Sequence, residues 1–67
     1  MILYRYLTGP DDAKFCHRVT AALNKGWSLA GSPTLTFNAA TGQVVAGQAI
    51  TKTVEGTYTP DMDMSAF

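Results

Sequence analysis

Few side chains in this 67-residue sequence could do chemistry, and the first pair to consider is Cys16 with His17. A thiol and an imidazole can act as nucleophile and base when the imidazole reaches the thiol. Neighbouring residues on a helix point about 100° apart, so these two side chains do not face each other. The sequence has no second histidine, and the apolar residues around Cys16 predict a buried, unreactive thiol. We expect a core cysteine beside a surface histidine, and no catalysis.

Two carboxylate pairs, Asp11 with Asp12 and Asp61 with Asp63, could serve acid–base chemistry or hold a cation. The first pair lies at the start of a predicted helix, where negative charge stabilises the helix dipole. The second lies in a segment without a regular pattern, where two carboxylates make a weak cation site. One cysteine and one histidine are too few ligands for structural zinc. We therefore expect no enzyme, no cofactor and no metal.

A third group combines aromatic, amide and basic side chains, and it is the most promising surface: Tyr4, Arg5, Tyr6, Gln48 and Lys52. Aromatic rings and cations on an open sheet can stack the bases of single-stranded RNA. However, five basic and five acidic side chains leave no net charge, whereas nucleic-acid binders usually carry a basic excess. Tyr4 and Arg5 also alternate onto opposite strand faces. Three interpretations stay open: half-buried tyrosines with solvated charges, a protein–protein surface, and a nucleic-acid or ligand site.

One helix and three strands are predicted to position these side chains. Residues 2–7 are rich in aromatic and branched side chains and predict a strand that ends at Thr8-Gly9-Pro10. Pro10 suits a first helical turn, and Gly26 suits the left-handed position after a helix. Between them, apolar side chains recur at helical spacing and predict a helix over residues 10–25: Phe15, Cys16, Val19, Ala22 and Leu23.

The second half of the sequence predicts a β-hairpin. Residues 27–37 form its first strand, and Pro33 places that strand at a sheet edge or at a bulge. Residues 38–42 form the turn, with Asn38 and Gly42 expected at positive φ. Residues 43–53 alternate as the last strand. The largest apolar side chain should anchor the core, for which we expect Phe15, Val19, Leu23, Trp27 and Leu29.

The order β-α-β-β predicts an α+β fold with a three-stranded, mainly antiparallel sheet. The third strand is expected between the first two, and the helix is expected on one sheet face only. Residues 1–54 form a single domain in this interpretation. Residues 55–67 form a mostly flexible acidic tail, with Tyr58 as the side chain that would anchor it.

Several blocks of sequence carry a family resemblance, in this order: Tyr4-Arg5-Tyr6-Leu7-Thr8-Gly9-Pro10-Asp11-Asp12, Phe15-Cys16-His17-Arg18-Val19, Leu23-Asn24-Lys25-Gly26-Trp27, Gly31-Ser32-Pro33 and Gly47-Gln48-Ala49. Over roughly residues 2–54 the chain resembles a family of very short bacterial and phage proteins catalogued as a domain of unknown function. The resemblance implies a complete small domain. It implies no activity, cofactor or catalytic residue.

Small size and an uncovered sheet face predict a non-enzymatic interaction module. A domain this small buries only about 60% of its unfolded surface, and oligomerisation is one support that such domains use. We expect self-association through the open sheet face or an edge strand, or an unidentified protein partner. The alternative is a nucleic-acid or small-ligand module that uses the tyrosine-bearing face. No apolar run reaches the ~20 residues of a membrane span and no signal-peptide pattern is present, so we expect no membrane and a cytoplasmic location.

Overall fold

A computed structural model describes all 67 residues of the chain. Its elements are β1 (Ile2–Pro10), α1 (Ala13–Asn24), β2 (Ser28–Asn38), β3 (Gln43–Thr53) and a short 3₁₀ helix (Met64–Ala66). β3 lies between β1 and β2 and pairs antiparallel with both. The predicted α+β fold and strand order are confirmed.

The junction between β1 and α1 differs from the predicted one. β1 continues to Pro10, because an edge strand tolerates a residue without an N–H. α1 begins only at Ala13, where the Asp12 carboxylate accepts a hydrogen bond from the Phe15 amide at 3.0 Å. Asp12 is thus the N-cap of the helix, a position that carboxylates favour. Gly26 follows the helix with a φ of +97°, as predicted.

The β2–β3 hairpin has the predicted strands and one difference in its turn. Gly42 has a φ of +70°, as expected, whereas Asn38 keeps a negative φ. The Asn38 side chain instead accepts a hydrogen bond from the Ala40 amide at 3.0 Å, and its carbonyl accepts one from the Gly42 amide at 2.8 Å. Asn38 therefore closes the turn through hydrogen bonds.

β2 carries the irregularity that Pro33 predicted, since its register against β3 shifts after Ala30. Gln48 of β3 reaches this bulge. Its Nε2 donates to the carbonyls of Ala30 and Gly31 at 3.4 Å each, and to that of Ala49 at 2.9 Å. Gln48 is only 5% exposed, so a buried amide ties the bulge to the central strand.

The core lies between α1 and one face of the sheet. Its buried side chains come from β1, α1, β3 and the residue that precedes β2, and none comes from β2 itself: Leu3, Leu7, Ala22, Trp27 and Ile50. Phe15 and Val19 are partly buried against them. Trp27 is 3% exposed.

The expectation that Leu23 and Leu29 belong to this core is wrong, because they are 40% and 55% exposed. Leu23 lies seven positions after Cys16 and therefore on the same flank of α1, and Cys16 is exposed as well. The predicted burial of Cys16 is wrong for the same reason. Leu29 is uncovered because the main backbone contacts of α1 are with β1, at the opposite edge of the sheet.

The residues after β3 return to the helix side of the sheet. Met64 and Phe67 pack against the core, and Lys52 Nζ donates to the Phe67 carbonyl at 2.8 Å. Tyr58 is 57% exposed, so the expectation that it anchors this segment is wrong. Met64 and Phe67 make the anchoring contacts.

Candidate functional site

The predicted surface residues lie on opposite faces of the sheet. Tyr4 and Tyr6 are on the open face and are 57% and 47% exposed. Arg5 alternates with them and is on the helix side. Gln48 and Lys52 are cross-strand partners of helix-side residues, so they lie on the helix side too. The structure does not bring the tyrosines and the cations to one surface.

Both cations of this group have partners within the chain. The Arg5 guanidinium lies 5.7 Å from the centroid of the Trp27 ring, which is a cation–π distance. Lys52 Nζ donates a hydrogen bond to the carbonyl of Phe67. The two cations therefore belong to the region where the C-terminal segment meets the core.

The open face of the sheet carries no charged side chain. The strand register places on it apolar, hydroxyl, amide and small residues: Ile2, Tyr4, Tyr6, Thr8, Pro10, Ser28, Ala30, Thr34, Thr36, Asn38, Gln43, Val45, Gly47, Ala49, Thr51 and Thr53. The tyrosine rings could stack against a base. Without a cation on this face, however, phosphates would not be neutralised, and phosphate neutralisation supplies most of the affinity in nucleic-acid binding.

A large uncovered apolar surface lies on the helix side of β2 and the adjoining end of β3. Leu35 and Phe37 are each 65% exposed, Leu29 is 55% exposed and Val44 is 41% exposed. Leu35 pairs with Ala46 and Phe37 with Val44, which sets all of them on the same face. We call these four side chains, Leu29, Leu35, Phe37 and Val44, the β2 strip.

A groove separates the β2 strip from α1. It encloses a cavity of about 290 Å³, and its walls include Phe15, Cys16 and Val19 of the helix and Leu29 and Pro33 of β2. The groove exists because α1 packs more closely on β1 than on β2. Its walls are mainly apolar, with Thr20 and Gln48 as polar members, and it continues the β2 strip toward the helix.

Sequence reasoning singled out only one member of the β2 strip, Leu29, and assigned it to the core. The signal was present, since Leu29, Leu35 and Phe37 occur in a strand without any charged residue. Alternation shows which side chains share a face, but it does not show how far a helix extends over that face. The missing information was the lateral position of α1.

The residues considered for catalysis have structural or solvent-exposed positions. Asp12 caps α1, and Cys16 and His17 are both exposed on the helix. Asp63 caps the 3₁₀ helix by accepting hydrogen bonds from the Ser65 hydroxyl and amide. No three His, Cys, Asp or Glu side chains converge into a set that could hold a metal ion.

A family model described as a domain of unknown function, DUF1737, matches residues 1–53. The matched region contains β1, α1, β2 and β3, and it ends where the last strand ends. No curated protein and no solved structure matches the chain. None of the helices combines the length and the apolar character that a membrane span requires.

Proposed function

The chain belongs to the DUF1737 family of domains of unknown function, and from its geometry we propose a non-enzymatic domain that self-associates through β2. The observation that carries the proposal is the uncovered β2 strip. Its four side chains expose on the order of 400–500 Å² per copy, which is the size of the largest apolar patch on a typical monomer and is often functional. A second copy of the chain is the proposed occupant.

The free edge of β2 supports this assignment. Natural proteins protect edge strands with charges, prolines or bulges. β2 has no charged residue, and its bulge and Pro33 lie in its first half. The second half, Thr34–Asn38, is a regular strand with nothing paired to its outer side. It offers both backbone hydrogen bonds and apolar side chains to a partner.

The opposite edge of the sheet is less suited to pairing. β1 carries Arg5, and Arg18 Nη1 of the helix donates to the Thr8 carbonyl at 2.8 Å. This contact already provides a donor for one polar backbone group of the strand. The comparison favours β2 as the edge that pairs.

An antiparallel β2–β2 contact satisfies two-fold symmetry. With the axis at Thr36, Leu35 of one copy lies opposite Phe37 of the other on the helix side of the joined sheet. Cross-strand pairs of aromatic and aliphatic side chains stabilise such sheets. Because neither side of this contact carries charge, the two copies do not repel each other.

The alternative function, nucleic-acid binding by the tyrosine-bearing face, has less support. Tyr4 and Tyr6 lie on a face without cations, while Arg5 and Lys52 lie on the other face. A surface that binds nucleic acid needs aromatic and cationic side chains on the same face. Self-association needs neither, and it uses the exposed apolar side chains that are present.

The test is the solution mass by light scattering over a range of concentrations. We expect a dimer whose mass changes little with salt, because the contact is apolar. Leu35→Glu should give a monomer, since it introduces a charge into the β2 strip of each copy. Tyr4→Glu is the matched control, because Tyr4 is similarly exposed but lies on the open face. It should leave the dimer intact.

Two results would contradict the proposal. One is a wild-type chain that stays monomeric at the highest concentration it tolerates. The other is a dimer that Tyr4→Glu dissociates and Leu35→Glu does not, which would place the interface on the open face. Circular dichroism of both variants shows whether each remains folded, which is expected because both positions are exposed.

A further inference from the structure

A second cavity lies on the other flank of α1, away from the β2 strip. It has a volume of about 240 Å³ and is bounded by β1, the second half of the helix, the residues between the helix and β2, and the C-terminal segment. Arg5, Arg18 and Lys25 line it, together with Trp27, Ser65 and Phe67. Three of the five basic side chains of the chain therefore face one cavity.

The two guanidinium groups are held in place by contacts that leave donors free. Arg5 lies over the Trp27 ring. Arg18 uses Nη1 to bond the Thr8 carbonyl at 2.8 Å. A guanidinium has five N–H donors in a planar fork, so each group retains several for a ligand. Groups fixed in this way lose less conformational entropy when they bind an anion.

No acidic side chain lines the cavity. Asp63 lies near enough to Arg5 for the two charges to interact, but its carboxylate is occupied by the Ser65 amide and hydroxyl. Three cations around one space repel one another when it is empty. An anion between them would remove that repulsion, and no lining side chain supplies one; the main-chain oxygen of Phe67 is already bonded by Lys52 Nζ at 2.8 Å.

We propose that this cavity binds the phosphoryl group of a small molecule. A phosphoryl group carries a charge of about −1.5 to −2 and three acceptor oxygens, which matches three cationic side chains better than a carboxylate does. Arginine forks bind phosphate bidentately. Trp27 and Phe67 give the cavity two apolar walls, which suit an organic phosphate with an apolar portion.

The fluorescence of Trp27, the only tryptophan, reports on the site directly. We would titrate the full chain with inorganic phosphate, phenyl phosphate and acetate at constant ionic strength. Saturable changes are expected with both phosphates and not with acetate. Phenyl phosphate should bind more tightly if an organic phosphate is the natural occupant, whereas equal or stronger binding of inorganic phosphate identifies the free ion.

Three substitutions localise the site. Arg5→Gln and Arg18→Gln should each weaken phosphate binding by about tenfold or more, because each removes charge-assisted hydrogen bonds. Lys14→Gln is the matched control, since Lys14 is a helix cation that does not line the cavity. It should leave the affinity unchanged. Binding is followed by a second readout, the Trp27 indole N–H resonance, which does not depend on a change in fluorescence intensity.

The proposal is overturned if neither phosphate gives a saturable change in either readout. It is also overturned if Lys14→Gln weakens binding as much as Arg18→Gln, because the effect would then reflect total charge. A chain that binds single-stranded oligonucleotides but neither small phosphate would point to a nucleic-acid surface instead. Leu35→Glu should bind phosphate normally. A failure of the phosphate-binding proposal is therefore distinguishable from a failure of the dimer proposal.

Discussion

The phenol oxygen of Tyr6 lies 2.6 Å from the hydroxyl oxygen of Thr34, on the opposite edge strand. The two side chains meet above Gly47 of the central strand, which pairs with Thr8 and Thr34. A Cβ at Gly47 would lie 2.6 Å from the Tyr6 oxygen and 2.7 Å from Thr34 Oγ1. The tyrosine therefore fills the place of a missing side chain and spans the sheet.

We predict that Gly47→Ala displaces Tyr6 and breaks its hydrogen bond to Thr34. The cost to the free energy of unfolding should be about 1 kcal/mol, the net value of one such bond, because the exposed ring can swing aside. In a Tyr6→Ala background the same substitution should cost clearly less, since only the exposed Thr34 hydroxyl, 2.7 Å from the added Cβ, then has to rotate away, and Gly is unfavourable in strands. Urea denaturation of the four proteins in this cycle measures the difference. Equal effects in both backgrounds would contradict the contact.

Trp27 and Leu29 are two residues apart but differ in their structural importance. Trp27→Ala should cost roughly 3–5 kcal/mol, which is comparable to the whole stability of a domain this small. Leu29→Ala should cost less than about 1 kcal/mol, because the side chain is largely exposed. Both are best measured by urea denaturation in the Leu35→Glu background, where dimerisation does not contribute. Similar costs for the two would mean that Leu29 is a core residue after all.

Local patterns were sufficient to predict most of the fold. The alternation in Gln43–Thr53, the break at Pro33 and the glycine after the helix all act within a few residues. Such features depend on backbone sterics and hydrogen bonding, which the sequence displays directly. The start of α1 was misplaced because Pro10 is compatible with both a first helical turn and an edge strand.

The surfaces were harder to predict because they depend on how elements pack. Arg5 lies over the Trp27 ring, and Lys52 donates a hydrogen bond to Phe67, although neither pair is close in sequence. Leu29 was assigned to the core because the strand predicted to contain it begins at Trp27. Its exposure follows from the position of α1 over β1, a tertiary property that no single segment specifies.

Asp12 is predicted to stabilise α1 as its N-cap. Asp12→Ala removes the bond to the Phe15 amide and should lower the free energy of unfolding by about 1 kcal/mol. Asp11→Ala is the control, because it removes the same charge one residue earlier without removing that hydrogen bond. It should have a much smaller effect in the same urea denaturation series. If both substitutions cost the same, charge near the helix dipole rather than capping accounts for the stabilisation.

Asp63 should make the C-terminal segment sensitive to acid. Hydrogen bonds from the Ser65 hydroxyl and amide, and to a smaller degree the Arg5 charge, hold the pKa of Asp63 below its ordinary value. A carboxyl with a lowered folded-state pKa stabilises the structure above its unfolded-state pKa, and this stabilisation is lost as the pH falls through the folded-state value. The 3₁₀ helix should therefore loosen only at pH values below the ordinary Asp pKa of about 3.9, where an unperturbed carboxyl is already half protonated.

The amide resonance of Ser65 measures this titration at the site itself, because that amide donates to the Asp63 carboxylate. We expect its midpoint below the ordinary carboxyl pKa, and contacts of Met64 with the core should weaken over the same pH range. In Asp63→Asn the Ser65 amide should not titrate, because asparagine carries no ionisable group. A Ser65 midpoint at or above the ordinary value would show that the carboxylate is not held by these hydrogen bonds. The 3₁₀ helix, which contributes Ser65 to the wall of the phosphoryl cavity, would then lack its N-cap.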